Sequence, residues 1–353
     1  MRYHLLGRSG LRVSELCLGT MTFGEDLGWG SSAEESRRIL DTYLDAGGNF
    51  IDTANVYTNG TSERFLGEFL EGRREEVVLG TKYTNAANGK DPNAGGNHRK
   101  SMMQSVEASL KRLRTDYIDL YWLHIWDGFT PIDEIMRAFD DLVRQGKILY
   151  CGISDAPAWV ISRANTMAEL RGWSRFVAIQ VEYSLIERTP ERDLLPMAKS
   201  LELAVTAWSP LASGILTGKY SKKGGAASDG SSRLNIEAMS ELVGLDEERK
   251  HHIAARVAEV AKEIGESSAR VALAWLLQRP QPVIPIIGAR KLDQLKDNLA
   301  STDLKLDSSQ LIKLDEASRV ELGFPRDLLN KEFVRNLVYG GMFDSINQPY
   351  RRD

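Results

Sequence analysis

The sequence of 353 residues predicts an α/β fold: a closed (β/α)8 barrel of the TIM type, with an N-terminal hairpin and a C-terminal tail. Three observations predict it. Eight short runs rich in Val, Ile, Leu and Tyr alternate with longer amphipathic stretches, which is the rhythm of repeated strand–helix units. The runs are apolar almost throughout, as expected of parallel strands covered on their outer face. No Gly-x-Gly-x-x-Gly follows an early strand, and the rival doubly wound dinucleotide-binding fold needs one. The length is large for one domain, yet barrels of this type reach it, so residues 1–353 read as a single unit.

In chain order, residues 2–14 read as a hairpin turning at Arg8-Ser9-Gly10, placed to plug the barrel bottom. The strand candidates are 15–21, 49–54, 77–82, 117–124, 149–154, 176–182, 204–210 and 282–288. The first helix candidate, 32–46, opens on Ser-Ala-Glu-Glu, an N-cap followed by acidic residues in the first turn, and Gly47-Gly48 stops it. Helices over 62–70, 99–113, 132–145, 158–171, 193–201 and 291–299 follow the next strands. The seventh connection holds two, over 246–264 and 267–278. Residues 222–232 read as a long polar loop after strand seven, and loops of that length tend to serve function. Residues 308–353 form the C-terminal extension, irregular in its final third.

Composition excludes several classes. The net charge of −4 gives no basic surplus for nucleic acid or anionic lipid. Two cysteines, Cys17 and Cys151, sit in apolar runs and read as small buried side chains, too few for a disulfide scaffold. The N-terminus lacks the apolar core of a signal peptide, and no apolar run approaches a bilayer span. The expected compartment is the cytoplasm, with no membrane partner. Oligomeric state stays open.

The chemistry is written at the strand ends. In such a barrel the active site lies at the carboxyl ends of the strands. Strand two ends at Asp52, with Tyr57 in the loop beyond it. Strand three closes on Lys82 and strand four on His124. Neighbouring strands lie about 4.8 Å apart, so these side chains can meet. Taken singly, each has a plainer reading: a loop brace, a packing phenol, a rim charge, a structural histidine. Together they form a proton-transfer set. A cation beside a phenol lowers its pKa, a carboxylate holds the cation in place, and a histidine polarises a carbonyl. Clustered metal ligands at strand ends are missing, which argues against a metal-assisted hydrolase.

This constellation resembles the catalytic tetrad of the aldo-keto reductases. The strings FIDTANVY (50–57), VVLGTK (77–82) and YIDLYWLH (117–124) occur in that family's order, and the resemblance runs over roughly residues 2–300. LGTMTFG (18–24) and WSPLASGILTGKY (208–220) look closest to the bacterial group similar to potassium-channel β subunits. The resemblance implies carbonyl reduction with a nicotinamide cofactor held without a Rossmann domain. Ser154, Asp155 and Gln180 match the carboxamide ligands, although the family more often has Asn at the position of Asp155. Trp208 matches the residue stacked on the nicotinamide. Ser209, Pro210, Leu211, Ser213, Gly214 and Lys219 match the segment that wraps the pyrophosphate. Gly288, Arg290, Gln294 and Asn298 match the adenosine site. An arginine fork suits a 2′-phosphate, so Arg290 points to NADPH, with NADH also open. Trp29, Trp126 and Phe129 are the candidates for the substrate wall. The channel-subunit likeness also implies a second reading, an NADP(H)-binding redox-sensing regulator with little turnover.

Overall fold

The computed structural model describes residues 1–86, 89, 91–218 and 247–346; the expected loop at 222–232 and Lys219 lie outside them. Eight parallel strands close a barrel: β3 (Cys17–Gly19), β4 (Phe50–Asp52), β5 (Val78–Tyr83), β6 (Ile118–Leu123), β7 (Ile148–Ser154), β8 (Phe176–Glu182), β9 (Ala204–Trp208) and β10 (Val283–Gly288), with β10 returning to pair with β3. All eight fall within the expected runs or one residue beyond them. Helices fill the connections, among them α1 (Ala33–Asp45), α2 (Thr61–Phe69), α3 (Arg99–Leu113), α4 (Ile132–Arg144) and α5 (Ala158–Arg171). Ser32 caps α1 by accepting from the Glu35 amide. Both cysteines are buried. No helix among the described residues is long and apolar enough to cross a membrane.

Side chains alternate in and out along each strand. Phe50, Val78, Leu120, Trp122, Ala178 and Ile284 join one buried cluster inside the barrel. Their neighbours Ile51, Leu79, Tyr121, Ile179 and Val205 belong to the larger core outside it, under the helices. Trp122 fills the barrel centre. Gly80 and Gly152 leave it room, since a Cβ on Gly152 would stand 2.3 Å from the indole. Counting on by twos from the inward residues carries the inner face up to Asp52, Lys82, His124, Ser154, Gln180 and Trp208. Strand periodicity alone thus aims all six at the mouth.

The hairpin, β1 (Tyr3–Leu5) with β2 (Arg12–Ser14), pairs antiparallel and supplies Leu6 and Val13 to the inner cluster. Gly7 adopts φ +57° and sits so close to the starts of β8 and β9 that a Cβ would fall 2.1 Å from the Val177 carbonyl oxygen. The hairpin therefore seals the barrel at the end opposite the mouth. At the other terminus, the helix Ser308–Ser318 is docked by Arg188, whose Nη1 donates to Asp315 Oδ1 (3.0 Å) and Ser318 Oγ (2.8 Å). Beyond it short helices follow at Arg326–Leu329 and Glu332–Tyr339, with Tyr339 packed on Phe343; residues 347–353, much of the final third expected to be irregular, lie outside the described residues.

Candidate active site

Asp52, Tyr57, Lys82 and His124 converge at the mouth. Lys82 is fully buried and Asp52 nearly so. The Lys82 ammonium donates to Asp52 Oδ2, to the Thr53 carbonyl (3.0 Å) and to the Tyr57 hydroxyl (3.1 Å). All three ammonium hydrogens thus have acceptors, which is what a buried cation requires. The second oxygen of Asp52 accepts from Gln180 Nε2 at 3.0 Å. Tyr57 rides on a tight turn in which Thr58 and Asn59 adopt left-handed φ of 45° and 53°. Thr58 Oγ1 pins that turn to the Phe23 carbonyl at 2.6 Å. The His124 ring meets the Tyr57 ring edge to face, centroids 6.0 Å apart.

The electrostatics are one-sided. Loss of water pushes the Tyr57 phenol above its ordinary value; the Lys82 charge opposes this and Asp52 adds to it. The expected downward shift by lysine is present, and burial outweighs it. Burial pulls Lys82 down, but the Asp52 carboxylate and Tyr57 more than offset it, so the ammonium is held above its usual range. Burial, then the Lys82 charge, lowers His124 to about 3. At neutral pH the set offers an ammonium, a protonated phenol and a neutral imidazole. It can donate a proton from Tyr57 and stabilise the phenolate left behind.

Around this centre lies a second group. Ser154 Oγ is buried with no partner at good hydrogen-bond geometry, its nearest acceptor being the neighbouring Asp155 carboxylate, so it has hydrogen-bonding capacity to spare for a ligand. Asp155, at φ +41°, accepts the Trp208 indole N–H at 3.0 Å, which fixes the indole plane. Ser209, Ala212 and Ser213 all carry positive φ and Gly214 follows at φ 96°. Strained turns of this kind collect at ligand-binding loops.

A family model described as the aldo/keto reductase family matches residues 15–319. The chain belongs to the aldo/keto reductase family. It is similar to norsolorinic acid reductase stcV of Emericella nidulans, with 38% identity over 98% of this chain and 85% of that protein. An uncharacterized oxidoreductase YrpG of Bacillus subtilis is 41% identical over 90% of this chain and 95% of its own. An aryl-alcohol dehydrogenase [NADP(+)] of Phanerodontia chrysosporium is 37% identical over 94% and 89%. The chain is therefore an oxidoreductase, and its family carries out carbonyl reduction. These relatives do not carry the finer likeness to channel β subunits, and their names favour turnover over a purely regulatory role.

In this aldo/keto reductase the adenosine-site candidates gather where β10 leaves the barrel. Gln294 Oε1 accepts from the Arg290 amide at 2.9 Å, and Asn298 Nδ2 donates to the Gly288 carbonyl at 3.4 Å. Strand β10 pairs with β9 and β3, so this group shares the rim with Trp208. Trp29 is half-buried in the loop after β3. Trp126 sits at the mouth, its amide donating to the Asp155 carbonyl at 3.3 Å. Phe129 is 93% exposed. Its loop is folded back on Asp127, whose carboxylate accepts from the Phe129 and Thr130 amides. Trp159 stands edge-on to Trp126, ring centroids 5.4 Å apart. Sequence reading missed Trp159 because it opens helix α5, where a tryptophan normally reads as packing. It also missed Asn85, whose Nδ2 lies 3.3 Å from His124 Nδ1.

Proposed function

We propose that this chain reduces an aromatic aldehyde or ketone to the alcohol with NADPH, and that the same residues serve the reverse oxidation. The single observation that carries the reading is Lys82 Nζ, bound at once to the Asp52 carboxylate and the Tyr57 hydroxyl. The aryl-alcohol dehydrogenase [NADP(+)] relative and the Trp126–Trp159 pair at the mouth support an aromatic substrate. The reading treats residues 1–353 as one barrel unit.

The residues present fit a nicotinamide dinucleotide. Ser154 and Gln180 would hold the carboxamide. The Trp208 face, fixed by Asp155, would stack on the ring. The turn over Ser209, Pro210, Leu211, Ser213 and Gly214 would hold the pyrophosphate, with Lys219 as a further proposed contact. Gly288, Arg290, Gln294 and Asn298 would hold the adenosine end, Arg290 taking the 2′-phosphate. When bound, the nicotinamide supplies a hydride for the carbonyl carbon. His124 donates to the substrate oxygen and orients it. Tyr57 gives its proton to that oxygen, and the Lys82 charge stabilises the phenolate as it forms. Asp52 keeps Lys82 charged and aimed. In oxidation, the Tyr57 phenolate takes the proton back.

The test follows reduced-nicotinamide absorbance with NADPH and a panel of aromatic aldehydes and diketones, for wild type and Tyr57→Phe. The variant should lose roughly 10²- to 10⁴-fold in kcat, the usual worth of a positioned acid. Undiminished turnover in the variant would overturn the proposal.

A further inference from the structure

Asn85 has no role in the reading above, yet it is held with unusual care. It follows Thr84, a buried residue at φ +101°, a conformation that L side chains rarely adopt. Three bonds hold Thr84 there. The His124 amide donates to its Oγ1 at 3.2 Å, Asn97 Nδ2 donates to the same oxygen at 3.0 Å, and the Gly96 amide donates to its carbonyl at 2.8 Å. Asn97 is in turn locked to Asp127. Its amide donates to Asp127 Oδ2 at 2.8 Å, and the Asp127 amide donates to Asn97 Oδ1 at 2.7 Å. Asn55 Nδ2 donates to the Asn85 carbonyl at 3.3 Å. The loops after β4, β5 and β6 are thus cross-braced around Asn85, and its side-chain amide nitrogen is delivered to His124 Nδ1 at 3.3 Å.

We propose that Asn85 is a positioning residue that fixes the tautomer of His124, holding the ring proton on Nε2. An amide nitrogen can only donate, so the ring nitrogen facing it must offer its lone pair. With Nδ1 occupied as an acceptor, a neutral imidazole carries its hydrogen on Nε2. The ring is neutral here, because burial and the nearby Lys82 charge both disfavour the imidazolium. The inference rests on the reductase reading for its consequence: Nε2–H donates to a carbonyl oxygen, whereas the other tautomer presents a lone pair that repels it. The strained Thr84 turn has a use on this account. It fixes the backbone from which the Asn85 side-chain amide reaches the ring.

The experiment reads the ring directly. The chain has five histidines, and His124→Gln assigns the His124 signals in long-range ¹H–¹⁵N spectra of the histidine-labelled protein. Wild type should show Nε2 protonated and Nδ1 bare. Asn85→Asp, whose carboxylate can only accept, should move the proton to Nδ1. Asn85→Ala should give a mixture. In both variants kcat should fall roughly 10- to 100-fold, by analogy with outer partners that orient metal-bound imidazoles. The KM for NADPH should stay put, a split that a general loosening of the site would not produce. A wild-type ring protonated on Nδ1 would overturn the proposal, as would Asn85→Asp keeping the wild-type tautomer. The spectra need no substrate, so failure here is separable from failure of the reductase reading, which Tyr57→Phe decides.

Discussion

Replacing Asp52 by Asn tests the centre of the site. The variant keeps the shape of the side chain and removes the charge that faces Lys82. Lys82 is 0% exposed, so its ammonium would be left with neutral acceptors only, the Asn side-chain oxygen at best, the Thr53 carbonyl and the Tyr57 hydroxyl. Stranding one member of a buried pair typically costs about 3–5 kcal/mol. The pH dependence should also change sign. In wild type, Lys82 is held above its unfolded value, so its contribution is complete below about pH 10.4 and is lost only as pH rises through the higher folded value. In the variant the carboxylate's upward pull is gone and desolvation pulls the lysine down. Between the lowered folded pKa and about 10.4, the unfolded chain then binds more protons than the fold, and stability rises with pH. Urea unfolding from pH 6 to 9.5 reads both effects, with the slope m checked for constancy. A loss under about 1 kcal/mol at pH 7, together with an unchanged pH profile, would refute the account of the pair. Lys82→Met added to Asp52→Asn should restore much of the stability and none of the activity.

Other expectations follow from single features. His124, lowered to about 3 from an ordinary 6.5, stays neutral in the fold while the unfolded chain protonates. Wild type should therefore lose stability as pH falls from 6.5 toward 3, by at most about 1.4 kcal/mol per unit from this group. His124→Gln should flatten that part of the profile in acid-range calorimetry. Gly152→Ala would press a methyl group into Trp122 and should destabilise by about 1–3 kcal/mol or more; Gly10→Ala, which meets nothing within 4 Å, is the control in the same melting experiment. Arg290→Ala should raise the Kd for NADPH by roughly 10-fold or more while leaving NADH little changed, as measured by fluorescence titration.

Much of this was legible in the sequence for a physical reason. Strands buried on both sides must be continuously apolar, so polar residues at their ends, such as Asp52, Lys82 and His124, stand out. Strand limits were less legible. The run 15–21 pairs only over Cys17–Gly19. The Thr20 amide still reaches the Asp52 carbonyl at 2.9 Å, but the chain then turns, with the Phe23 amide bonded to the Thr20 carbonyl. Reading a lysine beside a phenol gave the sign of their interaction and not the larger effect of burial, so the net shift of Tyr57 was misjudged. That Phe129 stands out from the surface was not legible, because hydrophobicity alone does not say what a loop side chain packs against. The brace of Asn97, Asp127 and Thr84 around Asn85 left no trace. Its bonds join Thr84 to Asn97 side chain to side chain, 13 residues apart, and Asn97 to Asp127 through a reciprocal side chain–backbone pair, 30 apart, and such bonds have no period.

The hairpin seal gives the molecule a direction. Met1 and Tyr3 lie against Gly47, where α1 ends below the barrel, so the amino terminus emerges from the blind face while Trp126 and Trp208 ring the opposite one. A linker joined at Met1 would fasten the protein by its closed end and leave the entrance facing outward. Molecules tethered this way to a bead or an electrode would share one orientation, each presenting its opening to the solution.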